Sequence, residues 1–454
     1  MLKIKEILKA TGGKLITGKD SLVIKRVLID SRSIQSGDLF IAIKGERLDG
    51  HKFIAQAIEK GAAAVIVSQK ISCPDHVAVI LVRDTTKALG EIAHFYRDKF
   101  SLPIIAITGS AGKTTTKEMI AAVLSCRFNV LKNFKTENNQ FGVPLTLLKL
   151  NKSYDVAVVE LGTNRFGDIP WLAKITNPTI AVFTNVGESH LERLKTPAGV
   201  FREKFQMVKF MPKSGRVIFN EDDRYLKKIA QKSIPQKKIS YAINTAALCK
   251  ASDVKRTERN QIEFKVKGRK FTLNTPFAHN VYNALAAISC GLIFKISLPQ
   301  MVKTLSSFGF ADGRQEIKKI GKLMLINDTY NSNPVSLRSA IDTLSSLKID
   351  RRKILVCADM LELGQHSKRL HALIGENIAQ STIDAVFTMG PYAKDIHLGI
   401  RKFKNNIQTY HESNLEALNH RLKDFCQPGD VLLIKGSRGM HLEKTVEFLE
   451  KNFN

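Results

Sequence analysis

Short apolar runs, each followed at once by polar residues, recur along the 454-residue chain. In the first hundred residues "VLID", "LFIAI", "AAAVIVS" and "VAVILV" read as β-strands, being short, branched and bounded by polar segments. Between them "FIAQAIEKGA" spaces its apolar residues as a helix does and stops at a glycine. From Ile104 the pattern restarts as strand, glycine turn and helix ("KEMIAAVLSC"), followed by "DVAVVELG" and "TIAVFTNVG". Near Ala311 it restarts again, with "KLMLINDTYN", "KILVCADM", "AVFTMG" and "DVLLIKGSRG". Fully apolar strands alternating with helices predict parallel sheets covered on both faces. The expected architecture is therefore α/β in three domains, over residues 1–100, 101–311 and 312–454. In such sheets ligands sit beyond the carboxyl ends of the strands, where this chain places its polar residues.

Composition changes this picture little. With 44% hydrophobic and 25% charged residues the chain has ordinary globular content. Six cysteines lie far apart with no C-x-x-C pair, which predicts reduced thiols in a cytoplasmic protein rather than a zinc site or a disulfide frame. The uncharged stretch over residues 277–294 carries His279, Asn280 and Asn283, so no membrane span is expected. A net charge of +28 raises the question of nucleic acid. The lysines are spread along the chain, however, without an aromatic-interleaved stripe, and anionic small substrates are the expected partners.

The chemistry concentrates at strand ends. "TGSAGKTTT" (residues 108–116) puts Gly109, Ser110, Ala111, Gly112, Lys113, Thr114 and Thr115 between a strand and a helix. Backbone N–H groups of such a turn, with the helix N-terminus, suit phosphate oxygens. Lys113 would meet the terminal phosphates of ATP and the Thr114 hydroxyl would reach Mg²⁺. The spacing is not Walker A, because Ile107 stands where the first glycine belongs. Glu160 ends "VAVVE" and is either a solvated strand-end glutamate or an acid that holds Mg²⁺. His190, in "TNVGESHLERL", is either a hydrogen-bonded structural residue or a ligand. "NDTYNSNP" is an Asx-rich turn ending at a proline or a binding loop. "GSRG", with Arg438, would form a small anion nest, and "HNVYN" (residues 279–283) enters a helix with more polar residues than one cap requires.

Taken together these motifs resemble the ATP-dependent Mur ligases of bacterial peptidoglycan synthesis, along nearly the whole chain. "DTYNSNP" and "ADMLELG" (residues 358–364) resemble the members that add D-alanyl-D-alanine, while the D-N-P-R hallmark of a sibling is absent. The resemblance implies a small N-terminal substrate domain, a central P-loop-type ATPase with a mostly parallel sheet and a C-terminal Rossmann-like domain. It implies ATP-dependent joining of D-alanyl-D-alanine to UDP-N-acetylmuramoyl-tripeptide through an acyl phosphate, in the cytoplasm, by a monomer that binds no nucleic acid.

Residue by residue, the resemblance gives Lys113, Glu160, His190 and Lys204 the catalytic roles. It implies two Mg²⁺ sites drawing on Thr114, Glu160, His190 and Lys204, the last as a lysine carbamate. The surroundings of Lys204, "REKFQMV", depart from the family's usual A-K-x-E, with Gln206 at the acidic position. Asn280, Asn283, Arg314 and Asp328 join residues 109–115 as ATP contacts. Ser31, Arg32 and Ser33 are implied on the uridine, Thr136, Asn138 and Asn139 on the UDP-sugar, and Tyr330, Asn331 and Asn333 on substrate in the C-terminal domain. The rivals are a sibling ligase, a folylpolyglutamate synthetase, a basic ATPase acting on nucleic acid and a scaffold with a relic loop.

Overall fold

The computed structural model describes residues 1–45, 48–310, 313–403 and 406–453. The boundary expected between Ala311 and Asp312 lies outside the described residues. Strands β1 (Lys14–Thr17), β2 (Val27–Leu28), β3 (Leu39–Ile41), β4 (Ala64–Val67) and β5 (Ala78–Leu81) form the N-terminal sheet in the order β1-β5-β4-β3-β2. Only β1 runs antiparallel to its neighbour. Helix α1 (Thr85–Arg97), capped by the Asp84 carboxylate, carries the chain to the next sheet. Its Arg97 donates to the carbonyls of Thr176 and Asn177 at 3.0 and 3.2 Å, fastening the two units together.

The central sheet has nine strands. In chain order they are β6 (Ile104–Thr108), β7 (Val130–Lys132), β8 (Val156–Glu160), β9 (Ile180–Phe183), β10 (Arg216–Asn220), β11 (Lys237–Ala242), β12 (Cys249–Arg256), β13 (Ile262–Val266) and β14 (Arg269–Leu273). Their spatial order is β14-β13-β12-β11-β10-β9-β6-β8-β7. The strands from β7 to β12 pair in parallel, and only β12-β13 and β13-β14 are antiparallel. The composition explains the switch: β6, β8 and β9 are buried at every position, whereas β13 alternates buried and partly or fully exposed residues as a one-sided strand does. Helices α2 (Lys113–Leu124) and α5 (Asn280–Ile293) pack together on one face of this sheet, through Ile120, Val123, Ala284 and Ile288. Between them in sequence lie α3 (Leu191–Leu194) and α4 (Pro197–Phe205).

The C-terminal sheet contains β15 (Glu316–Ile320), β16 (Leu323–Asp328), β17 (Lys353–Ala358), β18 (Ala385–Met389), β19 (Gln408–Glu412) and β20 (Val431–Lys435), in the order β15-β16-β20-β17-β18-β19. All pairs but β15-β16 are parallel. Helix α6 (Pro334–Ser345) starts at Asn333, whose side chain accepts from Ser336 N. One apolar cluster runs from Ile104 and Phe183 under the central sheet to Leu337, Ile341 and Leu355 of the C-terminal one. The carboxyl ends of β6, β8 and β9 thereby face those of β16, β17 and β20 across a shared space. No helix among the described residues is long and apolar enough to cross a membrane.

Candidate active site

The loop after β6 carries glycine at two positions where its neighbours leave no room for a side chain. A Cβ on Gly109 would stand 1.8 Å from the Thr184 hydroxyl, and one on Gly112 would stand 2.6 Å from Asn283 Oδ1. Gly112 also has φ 76°, a left-handed conformation that glycine adopts without strain. The loop is then stitched to the segment after β9. Ala111 N donates to Asn185 Oδ1 at 2.8 Å, and Asn185 Nδ2 returns a bond to Ala111 O at 3.0 Å. Ser110 N donates to Asn185 O, and Ser110 Oγ accepts from Gly187 N, each at 3.0 Å. Lys113 donates to the Gly109 carbonyl at 2.9 Å. Burial lowers its pKa, Glu160 opposes that shift, and Arg314 adds to it.

Glu160 is buried at the end of β8, and its two oxygens are separately held. Thr114 Oγ1 donates to one at 2.7 Å and Asn138 Nδ2 to the other at 2.7 Å. A hydroxyl and a carboxylate side by side are hard oxygen donors of the kind Mg²⁺ takes, with waters and substrate phosphates filling the other positions. Among the described residues no group of three or more His, Cys, Asp or Glu is placed to hold a metal ion.

His190 precedes α3 with φ 53° and is bonded through Nδ1 to Glu362 Oε2, from the loop after β17. Burial lowers its pKa while the Glu362 carboxylate works the other way, so the ring favours the neutral form that ligates metals. Lys204, on α4, is buried at 1% exposure, and its ammonium has no hydrogen-bond or ion-pair partner among the described residues. Its pKa falls well below the ordinary lysine value, first through burial and then through Lys113, with Glu203 and Glu160 opposing. A neutral amine in this position is chemically able to take up CO₂.

The C-terminal sheet brings a second set of groups to the same space. Asp328 and Lys435 end the adjacent strands β16 and β20 and form a buried pair at 2.6 Å. Lys435 donates as well to Asn331 O at 2.9 Å. Asn333, while capping α6, donates through Nδ2 to Ser110 O at 3.2 Å, so the "DTYNSNP" turn sits directly on the phosphate loop. Tyr330 donates to Thr136 Oγ1 at 2.5 Å, and its ring lies 3.9 Å below the Arg314 guanidinium. The "HNVYN" segment is a network. Asn283 Nδ2 donates to Asn280 Oδ1 at 2.8 Å, Asn280 Nδ2 to Gln315 Oε1 at 2.8 Å, and Thr116 to Asn283 Oδ1 at 3.1 Å. His279 bridges Gln315 and Ser339, and burial pushes its pKa down to about 4, with Lys435 adding to the effect.

These groups surround one cavity of about 830 Å³. Its lining includes residues 110–115, Thr136, Asn138, Asn139, Glu160, His190, Asn283, Arg314, Asp328, Tyr330, Asn331 and Asn333. Gly109, Asn280 and Lys204 do not line it; Asn280 and Lys204 are fully buried. Asn139 accepts from Phe141 N and Gly142 N, shaping the turn into the next helix. Ser31, Arg32 and Ser33 sit apart, in the N-terminal unit, with Ser31 on Gln56 and Arg32 on Asp30. Glu362, Gln315 and Asn185 carry no individual mark in the sequence, and His279 stands out only as a polar residue of "HNVYN". For Lys435 the signal was available, as a lysine closing the apolar run "VLLI".

Three family profiles match the chain: Mur ligase family, catalytic domain, over residues 23–97; Mur ligase middle domain, over 107–291; and Mur ligase, glutamate ligase domain, over 313–438. The UDP-N-acetylmuramoyl-tripeptide–D-alanyl-D-alanine ligase of Bacillus subtilis (strain 168) is 36% identical over 451 residues, 98% of each chain. The crystal structure of MurF from Acinetobacter baumannii superposes with a TM-score of 0.89 at 31% identity, covering 99% of this chain and 98% of that one. MurF ligase from Thermotoga maritima, in complex with ADP, gives 0.85 at 28% identity, over 96% and 99%.

Proposed function

The chain belongs to the Mur ligase family, and from that premise we propose that it joins D-alanyl-D-alanine to UDP-N-acetylmuramoyl-tripeptide at the expense of ATP, giving ADP and phosphate. The observation that carries this reading is the "DTYNSNP" turn seated on the phosphate loop, Asn333 Nδ2 to Ser110 O at 3.2 Å. The reaction is a step of peptidoglycan precursor synthesis, which we place in the cytoplasm with the enzyme acting as a monomer. Residues 1–100 would carry the UDP-sugar, 101–311 the ATP, and 312–454 the dipeptide together with part of the nucleotide.

A peptide carboxylate is a poor electrophile, because direct attack on it would have to expel an oxide. Transfer of the γ-phosphoryl group of ATP to the carboxylate oxygen gives an acyl phosphate. The dipeptide amine then attacks the carbonyl carbon, loses a proton, and phosphate departs with the bonding pair. The protein's part is to position reactants and to meet developing charge. Lys113, whose ammonium rests on the Gly109 carbonyl in this structure, would turn to the phosphate oxygens. Arg314, stacked on Tyr330, faces the same cavity from the other domain. Asp328 would meet the ribose, while Asn280 and Asn283 would back the nucleotide.

Thr114 and Glu160 would hold one Mg²⁺, and His190 with a carbamylated Lys204 a second; bound there, the metals would supply positive charge against the phosphoryl oxygens. Lys204 reaches its carbamate when the neutral amine adds to CO₂ and gives up a proton. Ser31, Arg32 and Ser33 would bind the uridine, Thr136, Asn138 and Asn139 the sugar, and Tyr330, Asn331 and Asn333 the dipeptide.

Phosphate release from ATP with UDP-N-acetylmuramoyl-tripeptide, with and without D-alanyl-D-alanine, tests the proposal. Release that needs both substrates is expected. Hydrolysis stimulated by DNA or RNA but not by this pair would overturn it.

A further inference from the structure

One segment at the seam between the central and C-terminal units, residues 185–194 with α3 at its end, touches both. Two non-glycine residues in the left-handed region meet there, His190 at φ 53° and Glu362 at φ 63°. Such backbones are uncommon outside glycine and persist where surrounding contacts hold them. The Glu362 carboxylate bonds to His190 Nδ1. Beside it Glu192 N donates to the Glu362 carbonyl at 3.1 Å, a main-chain bond independent of the carboxylate. Gly364 packs so closely that a Cβ would lie 3.1 Å from Glu192 Cα. The same loop holds Ser110 through Gly187 and Ser189, so it links the C-terminal unit to the phosphate loop as well as to His190.

An imidazole whose Nδ1 is held by a carboxylate has its tautomer and ring orientation set, leaving Nε2 free for a ligand. We propose that Glu362 is the positioning residue of His190, reaching across the seam so that the ring is set for the cavity only when the C-terminal unit is docked. Apposition of the two units and readiness of the histidine are then one event. The inference rests on the ligase reading for the role of His190, but not for the contact itself.

The test uses the full chain with ADP and Mn²⁺, the metal bound being counted by electron paramagnetic resonance. Glu362→Ala keeps the main-chain bond from Glu192, so it removes only the carboxylate. It is expected to weaken Mn²⁺ binding and kcat by about tenfold or more, with the KM for D-alanyl-D-alanine within twofold of wild type (our threshold). Glu362→Gln, whose carbonyl accepts from Nδ1–H, should restore most of both. In a His190→Ala background, Glu362→Ala should add nothing further. Unchanged Mn²⁺ binding in Glu362→Ala, no rescue by glutamine, or additive losses in the double variant would each overturn the proposal. Should Glu362→Ala fold poorly, Glu362→Asp, one methylene too short to reach the ring, replaces it with the same expected loss. Mn²⁺ binding reads the histidine without turnover, so a wild type lacking dipeptide-dependent phosphate release would count against the ligase reading alone.

Discussion

The two edges of the cavity are built differently. On the central side the groups hold one another: Ala111 and Asn185 exchange bonds at 2.8 and 3.0 Å, and Glu160 is gripped by Thr114 and Asn138 at 2.7 Å each. On the C-terminal side Lys435 holds Asp328 and the Asn331 carbonyl, and Leu361 N holds Ser437 Oγ. That side also reaches over the seam, where Tyr330, Asn333 and Glu362 bond to Thr136, Ser110 and His190. The central edge is therefore held largely by its own bonds, while the C-terminal edge adds contacts that form only on docking. Chemistry should fail when the first is damaged, and coupling or stability when the second is.

The sharpest way to break the comparison is Lys113→Ala. With Lys113 in its proposed role against the transferred phosphoryl group, its loss should cost about 10³-fold in phosphate release, while calorimetric binding of the UDP-substrate stays near wild type. Next is Lys435→Met, which leaves Asp328 buried without its partner and should lower stability by about 3 kcal/mol in denaturant unfolding. Lys435→Met combined with Asp328→Asn should recover part of that loss. A full loss retained in the double variant would show that the pair matters for more than its charge balance.

His279 sharpens the comparison through pH. Its folded pKa of about 4 lies below the unfolded value of 6.5, so the unfolded chain takes up a proton that the folded one refuses. Stability should be unaffected above about pH 6.5 and fall between there and pH 4, by about 3 kcal/mol when the loss is complete. His279→Gln should flatten that fall in melts followed against pH. The smallest effect belongs to Arg338→Ala, which removes a half-exposed ion pair to Glu188 across the seam, 2.8 Å long. A change below about 1 kcal/mol is expected, with phosphate release near wild type.

Much of the site was legible because it sits at strand ends. Lys113, Thr114, Glu160 and Asp328 lie at or just after apolar runs, and the structure brings all four to one cavity. The strands named in the sequence reading are present, as is the helix entered by "HNVYN". The hairpin strands β12, β13 and β14 were not legible. Their lysines and arginines alternate with apolar residues, and in a chain of charge +28 such alternation looks like an ordinary basic surface. Glu362 is illegible in the sequence for another reason. Its partner His190 lies 172 residues away, and no local pattern marks a carboxylate that bonds across a seam.

Sequence by itself determined which chemistry the chain can perform, since apolar run, glycine turn and polar terminus are local features read within a few residues. Tertiary structure decided which of those termini meet. Strand order and the docking of two sheets depend on contacts among residues hundreds of positions apart, and they alone put Asn333 on Ser110 and the Glu362 carboxylate on His190. The buried state of Lys204 was decided the same way. A lysine on a short helix carries no sign of burial until α4 is folded against the sheet, where desolvation and the charge on Lys113 lower its pKa.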